Sequence, residues 1–273
     1  MKFPRLRTLL LVPVGLFVAF YLVSVVMVAT SNDNVDDFAG PLSPRQTVAI
    51  FGASGTAGDG ILKAAMADPA VQTIQVITRR VTPRMEQGVA AGKVQVTSHM
   101  DYLDYAAVLP QVAQADAVYW AIGASSAGMD QPAYRRIHLD FPLRFVVEWM
   151  EISTRETVSF HYISSSDISA DSRWMWAREK VAAENALFEF ASSNRLKVIA
   201  YRPDYIGPTS EQAHLGQTLL YGFFAPVGAA VKATQIGQAM LEVTARIPEF
   251  ENGDKVGTRG IHRYADAFER REG

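Results

Sequence analysis

The residues Gly52-Ala53-Ser54-Gly55-Thr56-Ala57-Gly58 carry the spacing G-x-x-G-x-x-G directly after the apolar run TVAIF at 47–51. Glycines at such a turn let the chain reverse tightly and bring backbone N–H groups against a pyrophosphate. They also let the following helix pack close to its strand. Between a strand and an amphipathic segment, the turn reads as a dinucleotide cradle made by Gly52, Ser54, Gly55, Thr56, Ala57 and Gly58. A second run, TIQVIT at 73–78, ends in Arg79-Arg80 rather than in the acidic residue that would hold a ribose 2′-hydroxyl. Guanidinium groups there suit a 2′-phosphate, so NADP is expected ahead of NAD; the alternative is a pair of ordinary surface cations. Asp101-Tyr102 follow the run VQVTS at 94–98, where an adenine edge would lie. Gly123-Ala124-Ser125 follow DAVYWAI at 116–122 and permit close approach to the middle of a bound cofactor. These last two placements rest on topology.

The elements that must hold these residues alternate. Strands are expected at 47–51, 73–78, 94–98, 116–122, 157–163 and 197–201, with helices at about 57–67, 103–114, 131–152, 173–193 and 233–246. Repeated β-α units of this kind build a parallel sheet with helices on both faces, so an α/β, doubly wound Rossmann domain is expected over 46–262. Residues 263–273 are strongly polar and read as an exposed tail. Trp120, Trp149, Trp174 and Trp176 read as packing residues, and the Arg135-Arg136 and Glu179-Lys180 pairs as solvated faces.

Composition removes several chemistries. The 273 residues include no cysteine, which excludes disulfides, a thiol nucleophile, Cys-ligated zinc and iron–sulfur clusters. His99, His138, His161, His214 and His262 lack metal-ligand spacing, so no metal is expected. A formal charge of −2 without a Lys/Arg-rich block argues against a nucleic-acid surface.

The mean hydropathy of +0.05 owes much to one segment. Leu9–Ala29 reads LLLVPVGLFVAFYLVSVVMVA without a charge, long enough as a helix to cross a hydrocarbon core of roughly 30 Å. A cleavable signal peptide is the alternative, but its apolar core would be shorter and end at a small-residue site that Met27-Val28-Ala29-Thr30 does not supply. Residues 1–8 form a basic flank with Lys2, Arg5 and Arg7, and 30–45 a polar tether containing Asp33, Asp36 and Asp37. This asymmetry predicts a single-pass protein of a bacterial or mitochondrial inner membrane, its N-terminus kept in the cytoplasm or matrix. The expected partners are the bilayer, through 9–29, and membrane proteins. A second apolar stretch, LGQTLLYGFFAPVGAAV at 215–231, is interrupted by glycines and a proline. It is read either as a lid over the substrate side or as a contact with a membrane partner.

Taken in order, GASGTAG, ITRR, DAVYWAIGAS, HYISSSDISADSRWMWAREKVAAENAL and YRPDYIGP resemble an atypical short-chain dehydrogenase/reductase over roughly 46–245. Within that branch the motifs are similar to those of the Tat-interacting-protein-like oxidoreductases and the wider NAD(P)-binding epimerase-like group. The nucleotide-binding accessory subunit of respiratory complex I is an atypical member of the same superfamily. The resemblance implies a Rossmann fold, bound NADP(H), a serine after the fifth strand and a Tyr-x-x-x-Lys pair on the next helix. Carried over, Ser165 takes the serine's place and Lys180 that of the lysine, which also holds the nicotinamide ribose. The tyrosine position is Trp176. An indole N–H has no acid/base equilibrium near neutral pH, so it cannot relay the proton that accompanies hydride transfer. Asp171 and Glu179 would be unconventional substitutes; Tyr119 and Tyr162 lie on or beside strands.

Three readings follow. In the first, the chain is a membrane-anchored, nucleotide-binding accessory subunit without catalysis. In the second, it is an NADP-dependent reductase, dehydratase or epimerase with a substitute acid, acting on an apolar or membrane-borne substrate. In the third, it is an interaction scaffold with a vestigial nucleotide site.

Overall fold

β-Branched and aliphatic runs that are apolar on both faces can only be satisfied inside a sheet covered by helices on either side. The computed structural model describes residues 6–31, 35, 38, 40–193 and 195–272, and it builds such a sheet from seven parallel strands. Along the chain run α1 (Leu6–Thr30), β1 (Thr47–Phe51), α2 (Thr56–Ala67), β2 (Thr73–Thr78), α3 (Pro83–Ala90), β3 (Val94–Ser98), α4 (Leu109–Val112) and β4 (Ala117–Trp120). Next come α5 (Gln131–Arg135), a π turn (Arg136–Asp140), α6 (Phe141–Ile152), β5 (Val158–Ile163), α7 (Met175–Ala191) and β6 (Leu196–Arg202). The chain finishes with β7 (Tyr205–Gly207), α8 (Leu215–Phe224), a 3-10 turn (Ala225–Val227), β8 (Ala230–Lys232), α9 (Ala233–Ala245), a 3-10 turn (Ile247–Glu249), β9 (Lys255–Gly257) and α10 (Thr258–Glu272).

The strand order is β3-β2-β1-β4-β5-β6-β9, and β7 pairs with β8 in a separate small sheet. The order reverses between β1 and β4, which opens a crevice at the carboxyl ends of those strands; this is the doubly wound α/β Rossmann arrangement. Along β1, Val48 and Ile50 enter one core with Ile61 and Leu62 of α2, Ile236 and Met240 of α9 and Phe268 of α10. Ala49 and Phe51 enter the other, with Trp120, Phe145, Trp149, Phe160 and Leu187. The alternation follows from the two-residue period of a strand.

Several expectations require correction. The helix expected at 103–114 shrinks to 109–112, because Asp101 and Asp104 side chains accept from Leu103 N and Ala106 N and hold turns instead. The helix expected at 131–152 is interrupted by the π turn. Of the tail expected at 263–273, the described residues 263–272 are part of α10, which buries Ile261, Ala265, Ala267 and Phe268 beneath its charged outer face. Arg45, at the end of the expected tether, is buried with Asp68, Nε to Oδ2 2.7 Å. Trp120 and Trp149 are core residues, but Trp174 is 55% exposed under the Arg173 guanidinium. Glu179 and Lys180 are buried rather than solvated. The basic residues Lys2 and Arg5 and the acidic residues Asp33, Asp36 and Asp37 lie outside the described residues.

The apolar helix exists as α1, and its window Pro13–Thr30 is long and apolar enough to cross a membrane. Among its described side chains, Ser24 Oγ donates to Phe20 O, Thr30 Oγ1 to Val26 O, and Tyr21 Oη to Phe223 O at 2.9 Å.

Candidate functional site

The turn after β1 is forced into shape by contacts that only glycine permits. Gly52 has φ +82°, and a Cβ there would meet the Ala121 carbonyl carbon and oxygen at 2.7 Å. A Cβ on Gly58 would lie 2.1 Å from Gly52 O, so α2 rests directly on the turn. The N-cap Gly55 supplies no side-chain acceptor, which leaves first-turn amides of α2 for an outside anion. Asp59, in that first turn, is turned away: it is buried with Arg84 (Oδ1 to Nε 2.7 Å) and accepts from Thr209 Oγ1 at 2.5 Å.

A cavity of about 280 Å³ opens beside this turn. Gly52, Ser54, Gly55, Arg79, Arg80, Tyr102 and Gly123 all line it, brought together from the ends of four strands. Arg80 reaches back to the turn, its Nη2 donating to Ser54 O at 3.4 Å. Tyr102 stacks on Phe141 with ring centroids 5.5 Å apart, making a flat apolar wall; burial pushes its phenol up, against the pull of nearby Arg79. The cavity thus offers a glycine turn with a helix N-terminus, two guanidiniums and an aromatic plane, which are the groups that phosphate, 2′-phosphate and adenine need. Asp101 does not line it; its carboxylate caps its own turn. Thr56, Ala57 and Gly58 stand behind the wall in the first turn of α2.

The second cluster forms where β5 meets α7. Lys180 is buried, and its Nζ donates to Ile163 O at 2.9 Å, 5.0 Å from the Tyr162 ring. Ser165, two residues past that carbonyl, is half-buried. Trp176 and Lys180 stand one turn apart on the unbroken helix α7, hence on one face, and Trp176 is half-buried. Burial lowers the Lys180 ammonium to about 7, with Glu184 acting the other way. Glu184 itself is held by Arg202, Nε to Oε1 2.9 Å.

None of the substitute acids reaches this cluster free. Glu179 is taken by Gln131 Nε2 at 2.6 Å and by Arg135 Nη1 at 3.1 Å. Tyr162 Oη donates to His138 O at 2.9 Å, and Tyr119 bonds Thr244 at 3.0 Å on the other side of the sheet. Asp171 is exposed on the loop before α7.

The sequence reading gave no role to His138, yet it links the two clusters. It sits in the π turn, stacks on Tyr134 with centroids 4.0 Å apart, and takes the Ala124 N–H on Nε2 at 3.2 Å. A Cβ on Gly123 would approach its Cε1 to 3.3 Å. Its Nδ1 is buried without a hydrogen-bond partner among the described residues. Burial first, and the charge of Lys180 second, push its pKa down to about 3, so the ring is neutral. Ile137 and Phe141, also of this bend, line the nucleotide-sized cavity. No sequence signal marks a π turn; the extra residue is visible only once the flanking helices are placed.

No protein-family model and no curated protein sequence matches the chain. Solved structures do match in three dimensions. A 3-oxoacyl-[acyl-carrier protein] reductase from Brucella melitensis superposes with TM-score 0.62 at 17% identity, covering 81% of this chain and 98% of that one. The same enzyme in complex with NAD gives 0.60. A short-chain dehydrogenase/reductase from Saccharomyces cerevisiae gives 0.60 at 12% identity, covering 78% of this chain and 96% of that one. The body of the chain therefore has the fold seen in short-chain dehydrogenase/reductases.

Proposed function

We propose that this chain is a membrane-anchored NADP(H)-binding protein of the atypical short-chain dehydrogenase/reductase kind, holding its cofactor without turnover as an accessory subunit of a membrane complex. The observation that supports the reading is a cavity walled by the glycine turn, two guanidiniums and Tyr102, together with a tryptophan where the resemblance expects the proton-relaying tyrosine. Gly52, Ser54, Gly55, Arg79, Arg80, Tyr102 and Gly123 share one cavity, while Trp176 stands one turn before Lys180. A bound NADP(H) would supply hydride chemistry, but the indole has no proton to exchange near neutral pH. In this reading Lys180, fixed by Ile163 O, positions the ribose side, the first turn of α2 holds the pyrophosphate, and Arg79 and Arg80 favour NADP over NAD. The finer likeness to the Tat-interacting-protein-like oxidoreductases and to the complex I accessory subunit, and the location in a bacterial or mitochondrial inner membrane, belong to the same proposal.

One observation favours a second reading, an active NADP-dependent reductase, dehydratase or epimerase. A buried ammonium near 7 is suited to give up a proton at physiological pH, so Lys180 itself is the substitute acid of that reading. The two are separated with purified full-length protein in detergent. Cofactor retention is read by mass spectrometry, and NADPH oxidation is followed over a panel of carbonyl substrates with and without Trp176→Tyr. The accessory reading expects retained NADP(H) and no turnover without the substitution. Turnover by the unmodified protein overturns it in favour of the second. Loss of cofactor from both proteins overturns both and leaves the scaffold.

A further inference from the structure

Helix α8 has two unlike faces. Tyr221 is half-buried and, with exposed Thr218 at the rim and Lys63, Thr209 and Lys232, lines a cavity of about 360 Å³, while the Phe224 ring lies tilted against Tyr205 at 5.9 Å. On the other side Leu215, Leu219 and Phe223 recur every four residues and are 78%, 66% and 45% exposed, with Leu220 beside them. That outer side meets α1 at Phe223. Tyr21 Oη donates to Phe223 O at 2.9 Å, the Phe17 and Tyr21 rings stack on Phe223 at 6.4 and 5.5 Å, and a Cβ on Gly228 would come within 3.1 Å of Val28. These contacts run along α1 from Phe17 to Val28. At a rise of 1.5 Å per residue that is about 16 Å, close to half of a hydrocarbon core of roughly 30 Å.

We propose that residues 215–228 form a second membrane element, lying within one leaflet beside α1 with Leu215, Leu219, Leu220 and Phe223 among the acyl chains. The inference rests on the reading of α1 as a membrane span. Lipid is the occupant for two reasons. The exposed leucines are continuous with the exposed apolar surface of α1, including Leu16, Phe17 and Phe20, so one covering phase serves both. Three carbonyls at the end of α8 are also spent: Phe223 O accepts from Tyr21, Phe224 O from Ala229 N at 3.1 Å, and Ala225 O from Gly228 N at 3.0 Å. Helix-end carbonyls normally look to water, and at membrane depth they must find partners inside the protein.

The chain's lack of cysteine makes the test direct. Single cysteines at Leu219→Cys and Leu220→Cys on α8, Val26→Cys on α1 and Glu86→Cys on the body carry a nitroxide in the full-length protein, reconstituted into phosphatidylcholine vesicles. Collisional accessibility to oxygen and to a water-soluble nickel chelate is read by electron paramagnetic resonance. The expected result is an oxygen-to-nickel ratio at the α8 positions several-fold above that at position 86 and close to that at position 26. A lipid-like ratio at 26 with a water-like ratio on α8 overturns this proposal and leaves the anchor standing. Water-like ratios at both overturn the anchor as well. Low accessibility to both reagents on α8 overturns the proposal in favour of a protein partner or a second copy.

Discussion

Single residues set the pH response of this molecule. His161 is fully buried in a polar cluster, with Tyr201 Oη at 3.0 Å from Nδ1 and Ser159 Oγ and Thr244 Oγ1 at 2.9 and 3.0 Å from Nε2. Burial pushes its pKa down to about 3, the same value reached by His138. Between pH 6.5 and 3 the unfolded chain therefore binds protons at these two sites that the folded chain refuses. Their contribution is complete above pH 6.5 and is lost as the pH falls through that window, by up to about 1.4 kcal/mol per pH unit for each ring. His161→Gln can keep hydrogen bonds to the cluster but has no titration, so its unfolding free energy, measured in urea between pH 7 and 4, should fall less steeply than that of the unmodified protein. An unchanged slope would show that His161 is not held neutral. Lys180 acts in the alkaline window: its folded value near 7 lies below the 10.5 of the free side chain, so stability rises from pH 7 to 10. Lys180→Met should flatten that rise. In the proposed NADP(H) reading of the cavity, Arg79→Ala should weaken NADPH binding about tenfold or more while barely changing NADH binding, read by titration calorimetry, because Arg79 would there be paired with a 2′-phosphate. Equal losses would return Arg79 to an ordinary surface cation.

At the scale of elements, what decides the site is how closely helices approach the sheet. The contacts of Gly52 and Gly58 are with backbone atoms, which cannot rotate away, so Gly58→Ala should cost about 2 kcal/mol and abolish the thermal shift produced by NADPH. The helix α10 makes the complementary case: Phe268→Ala should lower stability by about 3 kcal/mol, where an exposed tail would leave it unchanged. These two elements also mark what could be read before the fold was known. The strands at 47–51, 73–78 and 94–98 were legible to the residue because runs such as TVAIF and TIQVIT bury both faces, and the glycine turn because its spacing states a steric need. α10 was illegible because Ile261, Ala265 and Phe268 are three apolar positions amid arginines and acids, and only α9 opposite them gives that sparse stripe a surface to bury against. The small strands β7, β8 and β9 have three residues each, too few for periodicity to register. His138 escaped for a different reason: its place is set by the π turn, an insertion that leaves no mark in composition.

At the scale of the whole molecule, the proposed membrane anchoring requires the N-terminal helix and the Rossmann body to share one arrangement across a bilayer. If α1 spans, the body and residues 215–228 lie at its Thr30 end, because Val28 meets Gly228 and, among the described side chains, the ring contacts to Phe223 come from Phe17 and Tyr21. The leaflet that receives α8 is then the one facing the body, and the rest of α1, toward Leu6, would span the other leaflet. In the proposed membrane-anchored reading, orientation would follow from charge: Lys2, Arg5 and Arg7 precede the span and Asp33, Asp36 and Asp37 follow it, which predicts an N-terminus on the cytoplasmic or matrix side and a translocated body. The cysteine-free background provides the check. In intact spheroplasts of a bacterial expression host, a membrane-impermeant maleimide should label Glu86→Cys without lysis. Replacing the three leading cations with Glu should move a large share of that labelling behind the membrane, because it removes the asymmetry that holds the N-terminus inside. Labelling of the starting protein only after lysis would reverse the orientation. The contact between α1 and α8 would survive that reversal, because it is set by Phe17, Tyr21 and Phe223 rather than by the flanking charges.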